Sequence, residues 1–178
     1  MLIIFAGLPG VGKSRIASEL ARQLGAAYPR IDSIEQALRD SGTLPLDDAG
    51  YGIGYAIAED NLRLGRTVVA DSVNPLAITR DAWLDVAKRA GVFAVEVEVQ
   101  CSDRDEHRRR VQTRIPDIAG LVPPTWEEVI SREYQPWDHE RIVVDTATVG
   151  VQQSVGLILQ VLQRGILMPG PDCSAGSL

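Results

Sequence analysis

Short apolar runs alternate along this chain with longer segments in which apolar residues recur at helical spacing. The apolar runs predict five β-strands, at residues 2–6, 27–31, 67–71, 92–100 and 141–146. The helical spacing predicts helices between and after them, at residues 13–24, 33–40, 51–64, 77–90, 103–114, 125–134 and 151–164. Because helices separate consecutive strands, right-handed crossovers would place the strands side by side and parallel. The pattern therefore predicts a three-layer α/β/α fold with a five-stranded parallel sheet.

Length and composition limit the kinds of partner that this chain is expected to have. Its 178 residues predict one domain over residues 1–165, followed by a flexible C-terminal tail at 166–178. No apolar run approaches the roughly 20 residues of a membrane-spanning helix. The two cysteines lack disulfide or metal spacing, which is typical of a cytoplasmic protein. A net charge of −6 disfavours a nucleic-acid partner, so a small molecule is expected, bound by a monomer or a homodimer.

The loop after the first predicted strand carries a phosphate-binding pattern. Its residues, Gly7-Leu8-Pro9-Gly10-Val11-Gly12-Lys13-Ser14, fit G-x-x-x-x-G-K-S/T. The glycines allow a tight turn in which successive N–H groups face a phosphate, and the following helix N-terminus adds positive charge. Lys13 supplies a charge for the β- and γ-phosphate oxygens, and the Ser14 hydroxyl is a ligand for Mg²⁺. These eight residues and the adjacent Arg15 form the predicted ATP site.

Several classes of phosphate-binding protein lack support in the sequence. No N/T-K-x-D motif for reading guanine is present, which excludes a GTPase, and no L-S-G-G-Q signature of a transporter ATPase occurs. The third predicted strand ends in Asp71-Ser72 rather than in the Asp-Glu pair of an AAA+ motor, which would also be longer. The compact kinases remain, in which one domain binds both ATP and a phosphate acceptor.

Four stretches of the chain together resemble the P-loop small-molecule kinases: GLPGVGKS, RIDSIEQAL, VVADSVNPLAITRDAW and EHRRRVQTR. This group includes shikimate, gluconate and chloramphenicol kinases and the kinase domain of polynucleotide 5′-hydroxyl kinases. The resemblance covers roughly residues 1–146. It implies a P-loop NTPase fold of the nucleotide and shikimate kinase type, with ATP and Mg²⁺ as cofactors.

The resemblance implies roles for two carboxylates at the ends of predicted strands. Asp32 would contact the acceptor hydroxyl and take its proton, and Asp71 would hold Mg²⁺ or its waters together with Ser14. Each residue also has a structural interpretation. Asp32 and Glu35 have the spacing of a helix-capping pair, and Asp71 could belong to the turn before Asn74.

The charged helix contributes two arginines that lie four residues apart, Arg110 and Arg114. In the resembling nucleotide-type kinases, the first such guanidinium stacks on the adenine and the second reaches the phosphates when a lid closes. The irregular residues 115–124, here called the lid segment, would be that lid. The alternative is a solvated helix face on which neighbouring acidic residues balance the arginines.

Other polar residues carry weaker signals. The remaining candidates for the acceptor pocket are Asn74, Arg80 and Arg132. Glu96 and Glu98 alternate with valines, which predicts that both face solvent on a strand at the sheet edge. The lone histidines, His107 and His139, have no partner at a useful spacing and are given no role.

These residues together predict an ATP- and Mg²⁺-dependent phosphotransferase that moves the γ-phosphate to a hydroxyl of a small molecule. Lys13, Asp32 and Arg114 are its predicted catalytic residues, and Arg110 its predicted adenine contact. The alternatives are an ATP-hydrolysing regulatory or RNA-processing module, and a polynucleotide 5′-hydroxyl kinase.

Overall fold

The computed structural model describes residues 1–43, 46, 48–138 and 140–167. The strands are β1 (Leu2–Ala6), β2 (Val68–Asp71), β3 (Ala94–Gln100) and β4 (Ile142–Asp145). The helices are α1 (Lys13–Leu24), α2 (Ile31–Asp40), α3 (Ala49–Arg63), α4 (Ala77–Arg89), α5 (Arg104–Thr113), α6 (Trp126–Ser131) and α7 (Val151–Leu167). The strand-helix alternation of the sequence is thus confirmed.

The described strands form one parallel sheet in the order β2-β1-β3-β4. All five residues of β1 are buried, because this strand has a neighbour on both edges and helices on both faces. Apolar residues of α1 and α7 pack on one face, and those of α3 and α4 pack on the other. The sheet therefore lies between two helical layers, and its carboxyl edge presents the loop after β1 to solvent.

The fifth strand predicted at residues 27–31 is wrong. This segment makes only isolated bridges within the described chain, between Ala27 and Val68 and between Arg30 and Asp71. Pro29 accepts a hydrogen bond from Asp71 N at 3.0 Å but has no N–H to donate. Helix α2 then begins at Ile31, two residues earlier than predicted, so the extended segment ends before a continuous ladder can form.

The predicted exposure of Glu96 and Glu98 is also wrong. Strand β3 pairs with both β1 and β4, so it lies inside the sheet rather than at its edge. Glu96 is 4% exposed, and Glu98 accepts a hydrogen bond from Arg141 Nε at 2.6 Å. The alternation of glutamate with valine therefore reflects a polar face of β3 that other segments of the chain cover.

The C-terminal helix continues through Leu167, past the boundary predicted at residue 165. The rest of the predicted tail, residues 168–178, lies outside the described residues, as does His139. Among the helices that the structure describes, none has both the length and the apolar character required to cross a membrane.

The approach of β1 to β3 depends on Gly7, which has a φ of +143°. A Cβ at this position would lie 2.3 Å from the backbone oxygen of Val99. We expect Gly7→Ala to lower the free energy of unfolding by about 2 kcal/mol, because both the backbone conformation and the neighbouring strand resist a side chain. Urea denaturation would measure the change.

The matched control is Gly52→Ala in the exposed part of α3, where a Cβ would meet nothing within 4 Å. That substitution should raise the free energy of unfolding by up to about 1 kcal/mol, because alanine favours a helix over glycine. Equal effects of the two substitutions would contradict the packing argument.

Candidate functional site

The loop between β1 and α1, residues Gly7–Ser14, has the backbone geometry of an anion cradle. Gly10 and Gly12 have φ values of +87° and +95°. Within the described residues, the backbone N–H groups of Gly10, Gly12, Lys13 and Ser14 have no hydrogen-bond partner. Unpartnered N–H groups at the start of a 12-residue helix bind anions, because the helix dipole adds to their partial charges.

The cradle is held in place by α5 and by the loop after β4. His107 donates from Nε2 to the Pro9 carbonyl at 2.8 Å, and its ring packs edge-on against Trp126. The Thr146 hydroxyl donates to the Val11 carbonyl at 2.7 Å. Sequence reasoning gave no role to His107 and did not single out Thr146, because nothing in the spacing of these residues indicates that they reach this loop.

The side chain of Lys13 forms a buried ion pair with Asp71. Nζ lies 2.6 Å from Asp71 Oδ1, and the two side chains are 7% and 1% exposed. Burial alone would raise the pKa of the Asp71 carboxyl, but the charge of Lys13 and hydrogen bonds from Lys13, Tyr28 and Ser14 bring it below its ordinary value. Asp71 is therefore ionised, and it is the partner of Lys13 in this structure.

Tyr28 and Arg30 also surround Asp71, and sequence reasoning missed both. The Tyr28 hydroxyl donates to Asp71 Oδ2 at 2.6 Å, and Arg30 Nε lies 3.7 Å from the same oxygen. Arg30 also donates to Asp117 of the lid segment at 2.6 and 2.9 Å. The sequence did carry a signal for this pair, because residues 28 and 30 of an extended segment point to the same side.

Asp32 lies in the first turn of α2 rather than at the end of a strand. The predicted capping role is not observed, because Arg30 is the N-cap residue and no side chain caps this helix. Asp32 lines the same cleft as the phosphate-binding loop. Among the described residues, none donates a hydrogen bond to its carboxylate or pairs with it.

The structure separates the two arginines that were expected on one helix face. Helix α5 ends at Thr113, and Arg114 is its C-cap with an extended ψ of 127°. Arg114 lines the cleft. Arg110 donates to the Thr146 hydroxyl at 2.8 Å, which holds it beside the cradle. It also donates to Glu106 at 2.7 Å, so an acidic residue of the same helix balances its charge.

One cleft of about 1660 Å³ joins these features. It extends from the cradle and the exposed Arg15, past Lys13, to Asp32 and the lid segment. Sites for one small ligand have volumes of roughly 300–1,000 Å³. The cleft therefore has room for a nucleotide and a second molecule.

The weaker candidates divide into lining and structural residues. Arg132 lines the cleft. Arg80 is fully buried, donates to the carbonyls of Gln135 and Pro136, and lies 4.3 Å from the centre of the Trp137 ring. Asn74 is also buried and donates to the Phe5 carbonyl. Arg80 and Asn74 thus support the loops behind the cleft.

The oxygen atoms beside the cradle fit a magnesium ion. The Ser14 hydroxyl and the Asp71 carboxylate are hard donors, and they adjoin the predicted position of the phosphates. No group of three or more His, Cys, Asp or Glu residues suited to a metal occurs in the part of the chain that the structure describes. Mg²⁺ is commonly bound through one or two protein ligands together with phosphates and waters.

Removal of Lys13 would leave Asp71 buried with Tyr28 and the more distant Arg30. We expect Lys13→Ala to lower the free energy of unfolding by about 3 kcal/mol, because one partner of a buried ion pair is left uncompensated. The double variant Lys13→Ala/Asp71→Asn should recover most of this loss. Urea denaturation of the single and double variants would measure the coupling.

The control is Arg22→Ala, which removes one partner of the exposed pair between Arg22 and Glu19. Its effect should not exceed about 1 kcal/mol. A Lys13→Ala protein as stable as the wild type would contradict the assignment of a buried ion pair.

The same ion pair predicts how stability depends on acidity. The folded-state pKa of Asp71 lies below its ordinary value of 3.8, so its contribution is present above about pH 4 and is lost as the pH falls through the folded-state pKa. The double variant Lys13→Ala/Asp71→Asn should therefore lose less stability than the wild type between about pH 5 and pH 2. Parallel acid-side losses in the two proteins would refute this.

Comparison with known proteins agrees with this geometry. The sequence pattern of the AAA domain family matches residues 2–118. None of the curated protein sequences compared with the chain matches it.

Solved structures of low sequence identity share the fold. A protein from Chloroflexus aurantiacus that is proposed to be a kinase has a TM-score of 0.69 and 21% identity over 92% of this chain and 96% of that one. The APS kinase of Mycobacterium tuberculosis in complex with AMPPNP and APS has a TM-score of 0.69 and 20% identity, over 91% and 96% of the two chains. Chaetomium thermophilum Kti12 in complex with ADP-AlF3 has a TM-score of 0.64 and 20% identity, over 90% and 98%. The chain belongs to the AAA domain family of P-loop proteins and has the P-loop kinase fold.

Proposed function

We propose that this protein is an ATP-dependent phosphotransferase that moves the γ-phosphoryl group to a hydroxyl of a small molecule. The observation that carries the proposal is the shared cleft, which contains both the phosphate-binding loop and the carboxylate of Asp32, a group with no partner in the described part of the chain. A protein that only binds a nucleotide does not need a carboxylate opposite its phosphates.

The donor end of the cleft would bind the ATP phosphates. The unpartnered N–H groups of the loop would donate to the β-phosphate oxygens, and Arg110, which donates to the Thr146 hydroxyl beside the cradle, would contact the base or ribose. Lys13 would turn Nζ from Asp71 toward the β- and γ-phosphates, where its charge offsets the charge that develops during transfer.

The acceptor end would position the hydroxyl. Asp32 would accept its proton as the oxygen bonds to the γ-phosphorus and the bond from that phosphorus to the β,γ-bridging oxygen breaks, with ADP as leaving group. The proton then passes from Asp32 to solvent. Such transfer needs positioning more than reactive side chains.

Two further features of the cleft fit this reaction. Arg114 lies between α5 and the lid segment, and its guanidinium would approach the transferred group when the lid segment moves over the cleft. Mg²⁺ held at the Ser14 hydroxyl, with Asp71 near its waters, would neutralise charge on the β- and γ-phosphate oxygens.

A second candidate function is ATP hydrolysis without an acceptor, as in a regulatory or RNA-processing module. The likeness to Kti12 in complex with ADP-AlF3 supports this alternative, because that structure matches 90% of this chain, close to the 92% and 91% matched by the two other structures described above. A polynucleotide acceptor remains a third candidate, which the net charge of −6 disfavours.

The experiment that separates these candidates is the formation of ADP from ATP with and without possible acceptors. Sugars, nucleosides, aminoglycosides, small hydroxy acids and 5′-hydroxyl oligonucleotides should be compared, with product phosphorylation followed by mass spectrometry. A phosphotransferase forms ADP and a phosphorylated acceptor in equal amounts. ADP formation that no acceptor accelerates would favour hydrolysis.

Asp32→Asn tests the acceptor end directly. We expect kcat for transfer to fall by about 10²- to 10⁴-fold with little change in KM for ATP, because the amide cannot take the proton. The control is Asp60→Asn, which neutralises an exposed carboxylate of α3 outside the cleft lining. If Asp32 served only the first turn of α2, both variants would retain wild-type kcat.

A further inference from the structure

The forked edge of the Arg30 guanidinium faces the acceptor end of the cleft, where Asp117 of the lid segment accepts hydrogen bonds from both of its terminal nitrogens. We propose that Arg30 binds an oxyanion group of the acceptor, either a carboxylate or a phosphate, and that Asp117 holds this position when no acceptor is bound. The inference rests on the proposed function, since it names the chemical class of the acceptor.

The geometry of the pair is that of oxyanion recognition. Arg30 Nη1 and Nη2 lie 2.6 and 2.9 Å from the two oxygens of Asp117. A planar guanidinium matches two oxygens of one carboxylate or phosphate in this way, whereas a lysine would present a single point charge. The fork is thus already arranged for a ligand with two neighbouring oxygens.

The burial of Arg30 requires that its charge have a partner. The Arg30 side chain is 10% exposed, and its Nε is buried with no hydrogen-bond partner among the described residues. Asp71 lies 3.7 Å from Nε, but its two oxygens already bind Lys13 and Tyr28. The terminal nitrogens therefore depend on Asp117, or on an anion in its place.

Asp117 can be replaced at small cost. Its side chain is 65% exposed, whereas that of Arg30 is 10% exposed. An exposed carboxylate is well solvated when it is released, so the cost of separating the pair falls mainly on the Arg30 guanidinium, with which the incoming oxyanion would pair again. A ligand oxyanion could thus take over both hydrogen bonds while the lid segment moves away.

The other charges at this end of the cleft leave room for such a ligand. Glu35 accepts a hydrogen bond from Arg39 at 3.1 Å, so its charge is balanced. Asp48 also lines the cleft and adds negative charge, whereas Arg114 and Arg132 line it and add positive charge. Asp32 is then the group for the acceptor hydroxyl, and Arg30 the group for an oxyanion elsewhere on the same molecule.

Binding of sulfate tests this site without turnover. The protein would first be saturated with AMPPNP, so that the phosphate-binding loop is filled, and sulfate would be titrated at constant ionic strength by calorimetry. Asp117→Asn should bind sulfate about fivefold more tightly than the wild type, because the carboxylate that competes for the Arg30 fork is removed. The double variant Asp117→Asn/Arg30→Lys, which keeps the positive charge but loses the fork, should lose this gain.

The control is Glu19→Gln, which changes the net charge equally in a pair on the outer surface of α1, and its affinity for sulfate should equal that of the wild type. Unchanged affinity in Asp117→Asn would overturn the proposal, as would a gain that survives Arg30→Lys. Because the measurement needs no transfer, a gain in sulfate binding without any acceptor-dependent ADP formation would refute the proposed function alone.

Matched acceptors distinguish the two kinds of oxyanion once transfer is observed. Glycerate against glycerol tests the carboxylate, and ribose 5-phosphate against ribose tests the phosphate. The anionic member of at least one pair should have the higher kcat/KM, and Asp117→Asn should lower its KM without changing KM for ATP. Preference for the uncharged member in both pairs would overturn the assignment of Arg30.

Discussion

The buried ion pair between Lys13 and Asp71 is the interaction on which the rest of the site depends. Lys13 is the first residue of α1 and Asp71 the last residue of β2, so their contact fixes the start of the helix against the neighbouring strand. Tyr28 and Arg30 are placed by the same carboxylate. Two charges out of water are costly unless they remain paired, and this cost keeps the carboxyl edge of the sheet in one arrangement.

That arrangement has to be exchangeable if the protein transfers phosphate. A lysine bound to a carboxylate is available to a phosphate only if another charge compensates the carboxylate when the lysine leaves. Arg30 lies 3.7 Å from Asp71 and is itself held by Asp117. The alternating charges from Lys13 to Asp117 thus extend from the donor end of the cleft to the lid segment, and ligands at either end would act on the same set of ion pairs.

Much of the fold could be predicted from sequence because it depends on local pattern. The apolar run of β1, the glycines of the loop and the amphipathic α1 each specify their own conformation. Predictions failed where tertiary contacts decide. Pro29 and an early start of α2 reduce the fifth strand to two bridges, and covering segments bury Glu96 on an interior strand. His107 and Arg30 act through partners 98 and 87 residues away, a separation that no local motif records.

His107 donates a hydrogen bond to the Pro9 carbonyl and so ties α5 to the phosphate-binding loop. The segments around the cleft should therefore differ in how readily they accept substitutions. Helix α5 and the phosphate-binding loop are joined by the hydrogen bond from His107, so we expect a change in one to require a matching change in the other. The segment after Thr113 and the residues around Arg30 meet instead through the ion pair of Arg30 with the exposed Asp117. Evolution, or an engineer, could exchange these two short segments to accommodate a different recipient molecule and leave the part that holds the nucleotide intact.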